Sequence, residues 1–195
     1  MLIWKRTGHL MTLYVCSMQE MPWHVKTLRP SHLVSLVPPN EQPPTPRGIT
    51  AERHLRLEID DIAEPFPGYV LPDVYHIATL VDFLMGWAGE QPILLHCLAG
   101  ISRSMAAALI ALTLDAEGRE MEAARSLRYA APHARPNARI IALADDVLCR
   151  QGRLIEACRQ MGSATDAASG PLVRLSPLTE PRRSTAVGEM ATMAI

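Results

Sequence analysis

A chain of 195 residues, 48% of them hydrophobic, is long enough for one closed core with flanking segments, since single domains most often hold about 100–150 residues. Its formal net charge of −1 argues against a nucleic-acid partner or a polybasic membrane anchor. The longest uncharged apolar run beside a helix, 105–114, falls well short of the roughly 20 residues that span a bilayer.

Lys5 and Arg6 ahead of the apolar stretch 10–15 imitate a signal peptide, but that stretch is short and no small-residue cleavage site follows. Residues 1–10 carry no pattern and read as an irregular extension, with Met11 a candidate initiator. Thr12 to Cys16 is a short run of strand formers, and His32 to Val37 is a second, stopped by Pro38 and Pro39. Residues 40–48 hold three prolines and read as a surface loop. Arg53 to Ile59 alternates with period two, which predicts a strand with one buried face. Asp60 and Asp61 leave that strand, and the Pro65-Phe66-Pro67-Gly68 segment forces a loop.

Val70, Val74, Ile77, Val81, Leu84 and Ala88 recur at spacings of three and four, which predicts a helix ended by Gly89. Pro92 to His96 is a short buried strand. Ser104 to Glu117 is a helix rich in alanine and leucine, ended by Gly118. Two more helices, about 120–131 and 137–151, are separated by Pro132 and Pro136. Beyond 160 the composition turns to Ser, Thr, Ala, Gly and Pro without periodicity, so 160–195 is expected to be a disordered tail. Strands separated by helices predict an α/β fold, a mainly parallel central sheet flanked by helices, as a single domain over 11–155.

Between the 92–96 strand and the next helix lies His96-Cys97-Leu98-Ala99-Gly100-Ile101-Ser102-Arg103-Ser104. Strand, tight loop, helix is the geometry that seats an oxyanion on a helix N-terminus. Backbone N–H groups of Leu98, Ala99, Gly100, Ile101, Ser102 and Arg103 are expected to cradle a phosphate, and Gly100 permits a conformation that a Cβ would obstruct. The same amide dipoles, with Arg103, favour a thiolate at Cys97. The planar fork of Arg103 can hold two phosphate oxygens at once. Ser104 can hydrogen-bond the sulfur and help it leave. His96 is expected to orient the loop rather than to transfer protons. The leaving oxygen then needs an acid, and the strand ending at Ile59 delivers two candidates, Asp61 first and Asp60 as the fallback.

Residues 96–104 resemble the signature of the cysteine-dependent protein tyrosine phosphatases, specifically the compact dual-specificity type, and similar bacterial proteins share this run. The resemblance extends over about 12–151 and includes the Leu57–Ile62 segment, Asp82-Phe83-Leu84 and Arg135-Pro136-Asn137. It implies the cysteine phosphatase fold and a nucleophile, phosphate-binding arginine and trailing hydroxyl at Cys97, Arg103 and Ser104. The general acid matches Asp61 less closely, because the loop is short and no Trp-Pro-Asp is present. Asn137 is assigned helix capping only. The implied activity is hydrolysis of phosphotyrosine, with phosphoserine and phosphothreonine as further substrates, through a cysteinyl-phosphate. It calls for a phosphorylated protein or peptide, with no cofactor, metal, nucleic acid or membrane. The alternative is a non-catalytic phosphopeptide-binding module that keeps the cradle; sulfur transfer or arsenate reduction ranks third. Cys16 is either a core residue or a disulfide partner that protects Cys97 from overoxidation.

Overall fold

The computed structural model describes residues 12–176 and 178, apart from 90 and 115. Five strands form one sheet in the order β3-β2-β4-β1-β5. They are β1 (Leu13–Ser17), β2 (His32–Val37), β3 (His54–Glu58), β4 (Ile93–Cys97) and β5 (Val173–Leu175). The first four run parallel, and β5 adds to the edge of β1 antiparallel. β4 lies at the centre and is buried along its whole length, which is why its sequence reads as continuously apolar rather than alternating.

Among the described residues six α-helices accompany the sheet: α1 (Met21–Leu28), α2 (Val74–Gly86), α3 (Arg103–Thr113), α4 (Glu120–Ala130), α5 (Ala138–Val147) and α6 (Arg153–Arg159). Because side chains alternate along a strand, each strand serves two cores. Leu13, Val15, Val34, Leu36, Ile93, Leu95 and Cys97 pack under the helical layer of α2 to α6, while Cys16, Leu33 and Leu94 meet Met21 and Val25 of α1 on the other face. α3 carries alanine at 106, 107 and 108, all fully buried, so its backbone can approach the sheet closely.

The architecture is the expected α/β domain, with three local differences. α2 begins at Val74, four residues after the first predicted position, because the Asp73 carboxylate accepts from the N–H groups of Tyr75 and His76, both at 3.0 Å, and caps the helix there. It ends at Gly86, ahead of Gly89, where Trp87 turns extended and buries its indole with Nε1 donating to the Gln91 carbonyl at 2.8 Å. α1 and α6 were not expected. Pro22 in the first turn of α1 is the signal that marks it. α6 owes its start to Asp145, whose carboxylate accepts from Gly152 N at 2.6 Å and Leu154 N at 2.8 Å.

The expected disordered tail needs correction over its first part. Residues 173–175 form β5, pairing Val173 with Val15 and Leu175 with Leu13 and burying both apolar side chains. A three-residue strand is too short to show periodicity, and the free edge of β1 supplies the ordering. Residues 1–11 and 179–195, with the expectations made for them, lie outside the described residues.

Candidate active site

Cys97 ends β4, and Ser102 is the N-cap of α3, so the loop between them has the shape expected of a strand-to-helix anion cradle. Its carbonyls are tied outward. Leu98 O accepts from Met18 N at 3.1 Å, Ala99 O from Gly170 N at 2.8 Å and Ile101 O from Arg135 N at 2.9 Å, while Ser102 O accepts from Ala106 N at 2.9 Å as the first bond of α3. No cis peptide is present among the described residues, and across a trans peptide the C=O and the following N–H point in opposite directions. The N–H groups of Ala99, Gly100, Ser102 and Arg103 therefore face the inside of the turn. Gly100 adopts φ +70° and packs against β1, where a Cβ would lie 2.7 Å from the carbonyl carbon of Cys16 and 2.9 Å from Ser17 N. Glycine is needed there for both space and dihedral angle.

Cys97 and Ser104 are buried at 2% and 0% exposure, and Sγ and Oγ stand 3.1 Å apart. The Arg103 guanidinium is buried beside them. One end donates from Nη1 to the Ile59 carbonyl at 2.7 Å, and Nε–H finds no acceptor among the described residues.

The two aspartates have different surroundings. Asp60 is buried, and it closes the loop over residues 60–70 through two bonds to one residue: its N–H donates to Val70 O at 2.8 Å, and its carboxylate accepts from Val70 N at 2.8 Å. Asp61 is half-exposed and turned toward the signature loop. Its Oδ1 accepts from Ser102 Oγ at 2.6 Å and from Asn137 Nδ2 at 2.8 Å, and its Oδ2 lies 4.0 Å from Arg103 Nε. Of the two aspartates it is thus Asp61 that faces the signature loop, while Asp60 is the clasp that shapes the loop over 60–70.

Asn137 does more than cap. Its Oδ1 accepts from Ile140 N at 3.1 Å, as expected of a helix start, while its Nδ2 reaches the carboxylate. Arg139, two residues on, donates from Nε to Pro72 O at 2.6 Å, so the start of α5 clamps both ends of the segment from Asp61 to Pro72. The Arg135-Pro136-Asn137 run was visible in the sequence; its contact with residue 61, 76 positions away, was not.

His96 is fully buried on the sheet face opposite Cys97. Its Nε2 shares a hydrogen bond of 2.6 Å with Ser35 Oγ, which also bonds His54 Nε2 at 2.8 Å, and His54 Nδ1 bonds Thr45 Oγ1 at 2.9 Å. Burial, reinforced by the charge of Arg103, pushes His96 down to about 4, and burial with Arg56 nearby does the same to His54. Both rings are neutral at physiological pH. This supports a role for His96 in holding the loop and not in proton transfer.

The redox pairing of Cys16 with Cys97 is not supported. In the β1–β4 register Cys16 stands beside His96, and Ser17 stands beside Cys97. The two thiols therefore belong to opposite faces, and burial raises the Cys16 thiol far above its usual range. Cys149 and Cys158 are likewise free. No cluster of metal-ligating side chains exists among the described residues, and no helix there is long and apolar enough to cross a membrane.

No family model and no curated protein matches the sequence. Solved structures do. DUSP15 is similar at TM-score 0.54 and 19% identity over 80% of this chain and 93% of its own. The Yvh1 phosphatase domain from Chaetomium thermophilum gives 0.54 and 23% over 73% and 95%. The human tyrosine phosphatase-like serine/threonine/tyrosine-interacting protein gives 0.51 and 19% over 70% and 91%. The chain therefore has the fold seen in dual-specificity and tyrosine phosphatases.

Proposed function

We propose that this protein hydrolyses phosphomonoesters on proteins, phosphotyrosine foremost and phosphoserine or phosphothreonine besides, through a cysteinyl-phosphate. The observation that carries the reading is the loop between Cys97 and Arg103. The carbonyls of Leu98, Ala99 and Ile101 bond outward to the scaffold, the amides that follow them turn inward, and a buried guanidinium keeps an Nε–H donor without an acceptor among the described residues. Buried donors are rarely left unmatched, and a tetrahedral oxyanion satisfies several of them together.

In the first step the Cys97 thiolate attacks phosphorus in line, forming the S–P bond as the P–O bond to the leaving group breaks. The Asp61 carboxyl gives its proton to the departing oxygen. In the second step water attacks the same phosphorus, Asp61 takes a proton from it, and the S–P bond breaks to return the thiolate and release phosphate. Ser104 Oγ–H, 3.1 Å from Sγ, stabilises the sulfur as it leaves. The amides and Arg103 stabilise the charge spread over the equatorial oxygens. Ser102 and Asn137 aim the acid.

The test uses the full chain with para-nitrophenyl phosphate and a phosphotyrosine peptide. Wild type turns both over. Cys97→Ser loses turnover yet retains peptide binding, Arg103→Ala loses both, and acid quench of wild type traps a phosphocysteine. A wild-type protein that binds the peptide and never turns it over would be a phosphopeptide-binding module instead.

A further inference from the structure

The four parallel strands β1 to β4 all begin at the end of the sheet remote from Cys97, and a cationic groove opens there. One cavity of about 630 Å³ has Lys26, Arg29, Arg47 and Arg53 around it and the buried side chains of Val25 and Ile49 in its lining. A second cavity, of about 270 Å³, adjoins it and shares Ser31, Arg53 and Gln91. Ser31 and Pro92 precede β2 and β4. Five residues of strand at about 3.3 Å each put the groove some 16 Å from the nucleophile.

The charge distribution is the informative part. The whole chain carries −1, yet these four exposed cations come from three separate segments and none forms an ion pair among the described residues. Among the described residues the lining includes no carboxylate. Glu52, which Arg53 does feel, is engaged by the Thr50 hydroxyl and its own backbone, and these hold it below the usual carboxylate range. Burial and then the charge of Arg53 lower the pKa of His32, in the second cavity, below the usual imidazole range. Four like charges gathered without partners repel one another. The floor is fixed, because Ser31 N donates to Pro92 O at 2.8 Å and Ser31 Oγ bonds His32 Nδ1 at 2.8 Å.

We propose that this groove binds a small polyphosphorylated ligand, with the cations on its phosphates and the apolar floor beneath the rest. Its volume lies within the roughly 300–1,000 Å³ of small-molecule sites. Two or more phosphates match the cation count, and one does not. The chemistry could come from a nucleoside polyphosphate or from free polyphosphate. The inference does not depend on the reading of Cys97.

The experiment is calorimetric titration of the full-length Arg103→Ala protein, which removes anion binding at the signature loop, with ATP, tripolyphosphate and adenosine. ATP and tripolyphosphate are expected to bind one to one, adenosine not at all. Raising ionic strength from about 0.05 to about 0.2 M weakens the binding, because the partners are exposed charges. ATP at least about tenfold tighter than tripolyphosphate identifies a nucleotide site, equal affinity a polyphosphate site. Adding Arg29→Glu with Arg53→Glu reduces either affinity by more than about tenfold. Arg47→Glu, on an exposed loop outside every element, weakens it as well and serves if the double variant fails to fold. In the wild-type background these groove variants leave para-nitrophenyl phosphate turnover unchanged. Absence of saturable binding to the Arg103→Ala protein, or binding indifferent to the Arg47 reversal, overturns the proposal.

Discussion

Asn137 holds two jobs in one side chain, and they can be pulled apart. Asn137→Ala removes the acceptor for Ile140 N and the donor to Asp61 Oδ1, whereas Asn137→Ser restores an N-cap oxygen but withdraws the donor. Losing a cap costs about 1 kcal/mol, so Ala should lower stability by about that amount and Ser by a few tenths. A hydrogen bond to a charged group contributes about 1.5–3 kcal/mol. Here Ser102 still holds the same oxygen at 2.6 Å, so the lower end applies and kcat falls about tenfold in both variants. The fall should grow with the basicity of the leaving group, since a poor leaving group depends most on a well-aimed proton. The assay is kcat across a series of aryl and alkyl phosphates, beside urea unfolding of each variant. If Asn137→Ser matches wild type on an alkyl phosphate, Asn137 only caps α5. If it loses the same factor on every leaving group, the defect lies elsewhere than in the acid.

Two further outcomes follow from the same geometry. Gly100→Ala places a methyl group against the backbone of Cys16 and Ser17 at +70° in φ, and strain plus overpacking should cost about 2–4 kcal/mol; a thermal midpoint within a degree of wild type would contradict the packing. His96 is at about 4 in the folded state against about 6.5 unfolded, so the unfolded chain binds the extra proton between those values. Its contribution is complete above about 6.5, declines as pH falls at up to about 1.4 kcal/mol per pH unit, and is gone below about 4. Urea midpoints measured between neutrality and pH 5 should show this slope in wild type and a shallower one in His96→Gln; equal slopes would remove His96 from the account.

What was legible in the sequence is what is local in the chain. Period-two alternation marks β3, the continuous apolar run marks β4, and Cys97, Gly100, Arg103 and Ser104 announce an anion cradle because one unbroken loop supplies both its backbone donors and the thiol beneath them. Everything that depends on a distant segment waited for the fold. Asp61 already stood ahead of Asp60 in the sequence, but the closure of Asp60 onto Val70 and the hydrogen bond that reaches Asp61 from the start of α5 are contacts only the fold supplies. The separation of Cys16 from Cys97 depends on strand register, since one residue of offset places a side chain on the other face. β5 joins the edge of β1 and buries Val173 and Leu175 in the core beside α4. Periodicity records which face of an element is apolar, and the pairing of faces is a property of the assembled sheet.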